Sequence, residues 1–231
     1  MSEVLPDQVI EFLQTMLPER SELLKRIEEE CRRDHIPLVS PEVGQFLQVL
    51  LRIKGAQRVL ELGTGIGYST IILTQPNTQK DRHITTVEID ENRYRRACGN
   101  FAEAGVAKYI TPVLGDANEV IPDLAGTFDF IFVDAAKGQY PGFFNKVWTL
   151  LEPGGIIVCD NIFLHGWVID MTWPERRKKT MVCRVRAFLE TLRDHPQLAT
   201  TLLPLGDGLS VSVKEFVKDE KGGAVSPCGK S

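Results

Sequence analysis

The chain has 231 residues, 43% of them hydrophobic and 25% charged, with a formal net charge of −4; this is ordinary for a soluble globular protein and enough for one sizeable α/β domain. The acidic balance excludes binding to nucleic acid through overall charge, so any RNA contact has to come from a local basic patch, and no apolar run approaches the roughly 20 residues of a membrane span. Five scattered cysteines without a Cys-x-x-Cys pair (Cys31, Cys98, Cys159, Cys183, Cys228) indicate neither a disulfide framework nor a zinc site, and Met1 to Asp7 lacks the pattern of a signal peptide, so a reducing cytoplasm is expected.

Residues 5–17 carry Val9, Ile10, Leu13 and Leu17 at helical spacing, ended by Pro18. Residues 19–34 predict a second, charged helix with Leu23, Leu24 and Ile27 toward the core and Glu28, Glu29 and Glu30 on a solvated face. After a connector interrupted by Pro37 and Pro41, Ser40 is expected to cap a helix that buries Val43, Phe46, Leu47 and Leu50.

That helix leads into the stretch around which the chain is organised, Val59-Leu-Glu-Leu-Gly-Thr-Gly-Ile-Gly-Tyr-Ser69. It reads as a short buried strand, a glycine turn and the start of a helix, whose free N–H groups point at the turn. Such a unit builds a nucleoside-cofactor pocket at the carboxyl end of a first strand. The spacing Gly-x-Gly-x-Gly departs from the dinucleotide fingerprint, and Glu61 precedes the first glycine. A carboxylate repels a pyrophosphate but suits a ligand with an ammonium and a sulfonium, which favours S-adenosylmethionine over NAD.

Strands and helices then alternate: a strand over 84–88, a helix over 91–104 ended by Gly105, a strand over 109–114, a strand over 128–133, a helix over 141–151, a turn at 152–155 and a strand over 156–159. The alternation predicts a parallel sheet with helices on both faces. A long basic helix is expected over 174–194, then an antiparallel hairpin of 199–203 and 209–213 around Gly206-Asp207-Gly208. The composition of Lys218 to Ser231 predicts a disordered tail.

Ligands of such sheets sit beyond the carboxyl ends of the strands, where this chain has Gly63, Glu88, Asp116, Asp134 and Asp160-Asn161. Glu88, about 20 residues after the glycine turn, is at the position for holding ribose hydroxyls, or else caps the next helix. Asp116 reads the adenine or caps a helix. Asp134, Asp160 and Asn161 bring two carboxylates and an amide to one rim, hard oxygens that suit Mg²⁺ or a similar ion and not zinc; the alternative is a pair of capping acids. Lys137, three residues after Asp134, would have its pKa lowered beside a metal and a sulfonium and would suit a general base; otherwise it is a surface charge. The run Arg176-Arg177-Lys178-Lys179, with Arg184 and Arg186, is either a solvated helix face or a contact to polynucleotide phosphates.

Together the residues Glu61 to Ser69, Val87-Glu-Ile-Asp90, Gly115-Asp-Ala117, Val133-Asp-Ala-Ala-Lys137 and Asp160-Asn161 resemble the cation-dependent O-methyltransferases, which include the catechol and caffeoyl-coenzyme A enzymes. The resemblance covers roughly residues 35–214. It implies a class I (Rossmann-like) α/β methyltransferase fold, a seven-stranded, mostly parallel sheet with the last strand antiparallel, in one domain over 1–217. It implies S-adenosylmethionine contacts at Val39, Glu61, Gly63, Ser69, Glu88, Asp116, Ala117 and Asp134. It further implies Mg²⁺ or Mn²⁺ on Asp134, Asp160 and Asn161, Lys137 as base, and a homodimer formed through the N-terminal helices.

Within that family, Asp134-Ala-Ala-Lys-Gly-Gln-Tyr140, Asp160-Asn-Ile-Phe-Leu-His-Gly166, Glu175-Arg-Arg-Lys-Lys179 and Pro204-Leu-Gly-Asp-Gly-Leu209 resemble the bacterial tRNA 5-hydroxyuridine methyltransferases. This branch implies formation of 5-methoxyuridine at the wobble position, with the anticodon stem held by Arg176, Arg177, Lys178 and Lys179. The rivals are a methyltransferase for a small catechol-like phenol, a non-catalytic S-adenosylmethionine-binding module and, more distantly, a dehydrogenase. His165 and Trp167 follow the metal pair and are expected either to line the base pocket or to pack against a neighbouring helix.

Overall fold

Period-two alternation in the strands and longer amphipathic periods between them sort this chain into a sheet with a helical layer on each face. The computed structural model describes residues 5–74 and 82–216. In chain order the elements are α1 Asp7–Thr15, α2 Glu22–Asp34, α3 Pro41–Lys54, β1 Arg58–Leu62, α4 Tyr68–Thr74, β2 His83–Glu88, α5 Glu91–Glu103, β3 Ile110–Leu114, α6 Ala117–Val120 and β4 Phe128–Val133. They continue with α7 Tyr140–Val147, β5 Leu151–Cys159, α8 Trp167–Asp170, α9 Lys179–Asp194, β6 Leu198–Leu203 and β7 Leu209–Lys214, with 3-10 turns at Lys137–Gln139 and Arg176–Lys178.

The seven strands run in the order β3-β2-β1-β4-β5-β7-β6. β7 is antiparallel to both β5 and β6, and the pairs from β3 through β5 are parallel. Neighbouring residues of the central strands feed opposite cores. Leu60, Leu62, Ile131, Val133, Ile157 and Cys159 pack with α7 and α9, whereas Val59, Phe130, Phe132, Ile156 and Val158 pack with α3. A third cluster joins α2, α4 and α5 through Ile27, Ile71 and Phe101. No helix among the described residues is long and apolar enough to cross a membrane.

Several expected boundaries are corrected. Residues 152–155 are not a turn between elements: β5 begins at Leu151, and its register on β4 jumps from Phe128↔Leu151 to Phe130↔Ile156, so the extra residues bulge inside the strand. α7 therefore ends at Val147. The basic helix begins only at Lys179: residues 176–178 form a 3-10 turn, and no side chain caps the first turn of the helix. Ser40 holds the N-cap position of α3, but its hydroxyl makes no capping bond. Glu28 is not on the solvated face; it is 9% exposed, receives the Tyr68 hydroxyl at 2.6 Å and pairs with Arg20 at 2.7 Å. The predicted tail, Lys218 to Ser231, lies outside the described residues.

The site is positioned by the strand order. The sheet reverses direction of growth between β1 and β4, and these two strands end side by side, with Leu62 level with Val133. Gly63 then turns with φ of 100°, and a Cβ there would lie 2.2 Å from the carbonyl oxygen of Asp134. Only glycine allows the two main chains to approach this closely. Gly63→Ala is accordingly expected to cost roughly 3 kcal/mol or more from strain and overlap, read as a lowered urea midpoint, together with loss of S-adenosylmethionine binding by calorimetry.

Candidate active site

A cavity of about 380 Å³ opens beyond the carboxyl ends of β1 to β4. Val39, Gly63, Ser69, Glu88, Asp116, Ala117, Asp134 and Lys137, all predicted from the sequence, line it. The two Glu88 oxygens accept the main-chain N–H groups of Gly65 at 2.8 Å and Asp90 at 2.9 Å, which ties the glycine turn to the end of β2. The cap of α5 is Asp90, which accepts from Arg93 N at 2.9 Å, and not Glu88. Asp116 both borders the cavity and caps α6, accepting from Asn118 N at 2.7 Å.

Glu61 is not a wall residue. It is 0% exposed and accepts three hydroxyls, from Ser69 at 2.6 Å, Thr70 at 2.5 Å and Thr86 at 2.7 Å. Burial pushes its carboxyl up to about 7 against the pull of those three donors. From beneath the floor it locks the first turn of α4 and, through Ser69, the cavity surface.

The second half of the site grows from the ends of β4 and β5. Val133 is level with Cys159, so Asp134 and Asp160 leave the sheet as neighbours, their N–H groups donating to Leu62 O at 2.8 Å and Val133 O at 3.0 Å. Asp160 is 2% exposed, and its Oδ1 accepts from Asn161 N at 2.6 Å. Its carboxyl is raised, first by burial and then by the Asp134 charge, with Lys137 opposing both. Lys137 Nζ is ion-paired with Asp134. Asn161 follows in the left-handed region, φ 53°. Among the described residues no group of three or more His, Cys, Asp and Glu could hold a metal. The donor set here is two carboxylates and an amide, which fits an oxygen-preferring divalent cation.

Two further residues belong to this arrangement. Tyr140 is 1% exposed, and its hydroxyl donates to Asp160 O at 2.7 Å and Val133 O at 3.2 Å. Burial holds its phenol far above the ordinary value, so it stays a donor, and Lys137 Nζ lies 5.6 Å from its ring centre. Asp207, in the hairpin turn, accepts from His165 N at 2.7 Å. Neither has a periodic or spacing signature; the motif Gly-Gln-Tyr140 and the glycines around Asp207 were the visible hints, and both bonds span at least 20 residues of chain or end on main-chain atoms.

Arg176, Arg177 and Lys179 are exposed. Arg177 pairs with Glu175, and Lys179 Nζ lies 5.1 Å from the Trp173 ring centre. α9, which they precede or begin, packs on the Lys137–Gln139 turn, with Arg184 Nη1 3.5 Å from Gly138 O. The rings of His165 and Trp167 meet edge to face at 5.3 Å; His165 is exposed, while Trp167 packs against the main core.

A family model described as O-methyltransferase matches residues 15–215. The chain is 35% identical to a catechol O-methyltransferase of Niastella koreensis over 182 residues, 77% of this chain and 78% of that one. It is 29% identical to a caffeoyl-CoA O-methyltransferase of Citrus natsudaidai over 221 residues, 91% and 94% of the two chains. The fold matches the O-methyltransferase TomG of Streptomyces achromogenes, solved in complex with SAM, with a TM-score of 0.80 and 30% identity over 90% of this chain and 96% of that one.

The buried Glu61 makes a pH prediction. Its folded-state pKa of about 7 lies above the ordinary 4.5, so between these values the folded state holds more protons than the unfolded one. Its contribution to stability therefore falls as pH rises through that window and is level above it. Glu61→Gln should remove roughly 2 kcal/mol of the stability difference between pH 5 and pH 7, measured as urea midpoints at the two pH values.

Proposed function

This chain belongs to the O-methyltransferase family and is a SAM-dependent O-methyltransferase of the caffeoyl-CoA/catechol type, and from that premise we propose that its acceptor is 5-hydroxyuridine at the wobble position of a tRNA anticodon loop. The observation that carries the RNA assignment is the cationic stretch Arg176 to Lys179, exposed at Arg176, Arg177 and Lys179, which leads into the helix packed on the Lys137–Gln139 turn. It supports an electrostatic contact to stem phosphates beside the reacting oxygen, in a chain whose overall charge is repulsive. A wobble base is unpaired and enters a pocket at small unstacking cost. In its base the 5-hydroxyl and 4-carbonyl are vicinal oxygens, arranged as in a catechol.

Asp134, Asp160 and Asn161 would hold a divalent cation, Mg²⁺ or Mn²⁺, whose Lewis acidity lowers the pKa of the acceptor hydroxyl. The protein's own groups do the rest. Glu88 would hold the ribose hydroxyls of S-adenosylmethionine, and Asp116 and Ala117, which line the same cavity, would border its adenine. Glu61 and Ser69 fix the turn on which it rests. With Asp134 engaged by the cation and no longer paired with Lys137, Lys137 Nζ as its neutral amine would accept the proton leaving the acceptor hydroxyl; the oxygen would then take the methyl as the S–CH3 bond breaks, and S-adenosylhomocysteine would leave. The carboxylate-rich walls favour the positive sulfonium, and fixed alignment of the two reactants removes much of the entropic barrier.

A second reading, methylation of a small catechol-like phenol, is favoured by the 35% identity to the Niastella catechol enzyme. Methyl transfer from labelled S-adenosylmethionine to tRNA bearing 5-hydroxyuridine and to catechol, each with and without chelator, separates the two. Chelator-sensitive labelling of the tRNA nucleoside is expected, and labelling of catechol alone would move the substrate to small phenols. Asp134→Ala should lower kcat by about two orders of magnitude or more, the scale of losing a group that stabilises developing charge; full activity would sink the metal mechanism. Replacing Arg176, Arg177, Lys178 and Lys179 by glutamate should reduce kcat/KM on tRNA more than about tenfold at physiological salt and flatten its salt dependence, with little change on catechol. Unchanged activity on tRNA would remove the docking role.

A further inference from the structure

The hairpin turn between β6 and β7 carries a carboxylate that the hairpin does not use. The β6–β7 ladder is paired from Leu198↔Lys214 to Leu203↔Leu209, and the turn closes through Gly208 N donating to Leu205 O at 3.0 Å. The Asp207 side chain instead reaches across 42 residues of sequence to accept the His165 N–H at 2.7 Å. Two main-chain bonds run alongside it: Phe163 N donates to Asp207 O and Ile162 N to Gly208 O, both at 3.0 Å.

The segment so held is strained. Asn161, Leu164 and His165 have φ of 53°, 49° and 58°, three residues with side chains in the left-handed region within five positions, and such geometry persists only where the surroundings impose it. The turn is wedged on its other side as well. A Cβ at Gly206 would lie 2.9 Å from Val43 Cγ2, in the first turns of α3, and a Cβ at Gly208, φ 88°, would lie 2.3 Å from Phe163 Cδ2. Gly206-Asp207-Gly208 thus spans from the helix that follows Val39, on the cavity wall, to the segment that follows Asp160.

We propose that Asp207 is a positioning residue for the acceptor side of methyl transfer: through the His165 N–H it holds the Asn161–Trp167 segment, with the Asn161 amide and the His165–Trp167 ring pair, in the geometry the acceptor meets. This rests on the reading above that a cation on Asp134, Asp160 and Asn161 activates the acceptor hydroxyl, which brings the acceptor to the rim after Asp160. The S-adenosylmethionine half of the cavity is built from other strands and does not depend on this bond.

The test is steady-state methyl transfer by the purified full chain and its Asp207→Ala and Asp207→Asn variants, on 5-hydroxyuridine tRNA and on catechol, with KM measured for acceptor and for S-adenosylmethionine. Asp207→Ala should lower kcat/KM for the acceptor 10- to 100-fold and leave the KM for S-adenosylmethionine within about twofold. Asp207→Asn keeps an oxygen that accepts the His165 N–H and should recover most of that loss. Equal loss in both variants, equal damage to both KM values, or wild-type rates in Asp207→Ala would each overturn the proposal. Should Asp207→Ala not fold, Asp207→Ser, polar but too short to reach His165, replaces it, and activity equal to that of Asp207→Asn overturns the proposal. Failure of the unsubstituted enzyme on both acceptors would instead strike the acceptor reading itself, and this proposal with it.

Discussion

The main chains of Gly63 and Asp134 touch, and the rest of the site depends on that contact. The carbonyl of Asp134 lies where a side chain at 63 would stand, so the glycine turn that lines the cavity and the strand end that carries the first candidate metal ligand are one surface. Parallel pairing of β1 and β4 brings them level, and a missing Cβ lets them close. Everything chemical follows from this shared edge. Ser69, Glu88, Asp134 and Lys137 all border the cavity that opens beyond these strand ends.

Charge is the second organising feature. Three carboxylates behave in three ways because their neighbours differ. Glu61 is buried among hydroxyls and raised to about 7. Asp134 is neutralised by Lys137. Asp160 is buried beside Asp134 and raised by both effects. Such a concentration of partly compensated negative charge is costly away from water and would be relieved by cationic ligands, such as the sulfonium of S-adenosylmethionine and the divalent cation proposed on Asp134, Asp160 and Asn161. Tyr140 keeps the two strand ends in place by donating to Asp160 O and Val133 O, so the carboxylates are held from behind by a neutral group that adds no charge.

The rim after Asp160, proposed as the acceptor side, is built differently, from a strained segment clamped by a hairpin turn. Its main-chain groups after Asp160 have no helix or ladder of their own and find partners in Asp207 and Gly208. The antiparallel β7 makes this possible, since it delivers the turn preceding it to the carboxyl edge of the parallel strands, where the cavity opens.

The alternation of strand and helix, the glycine turn after β1 and the strand-end acids were legible in the amino-acid sequence, because each follows from local rules: side-chain period, the conformational freedom of glycine, the preference of ligands for carboxyl edges. The bulge in β5, the burial of Glu28 and the missing cap at Ser40 were not, since each is decided by what packs on the segment from outside. In the same way the sequence marked Glu61 as an acid beside the cofactor, and only the tertiary structure put it beneath the floor, where Ser69, Thr70 and Thr86 surround it. Tyr140 and Asp207 stand furthest from local reading. Their partners are a carbonyl 20 positions away and an N–H 42 positions away, and distances of that kind exist only once the strands have chosen their order.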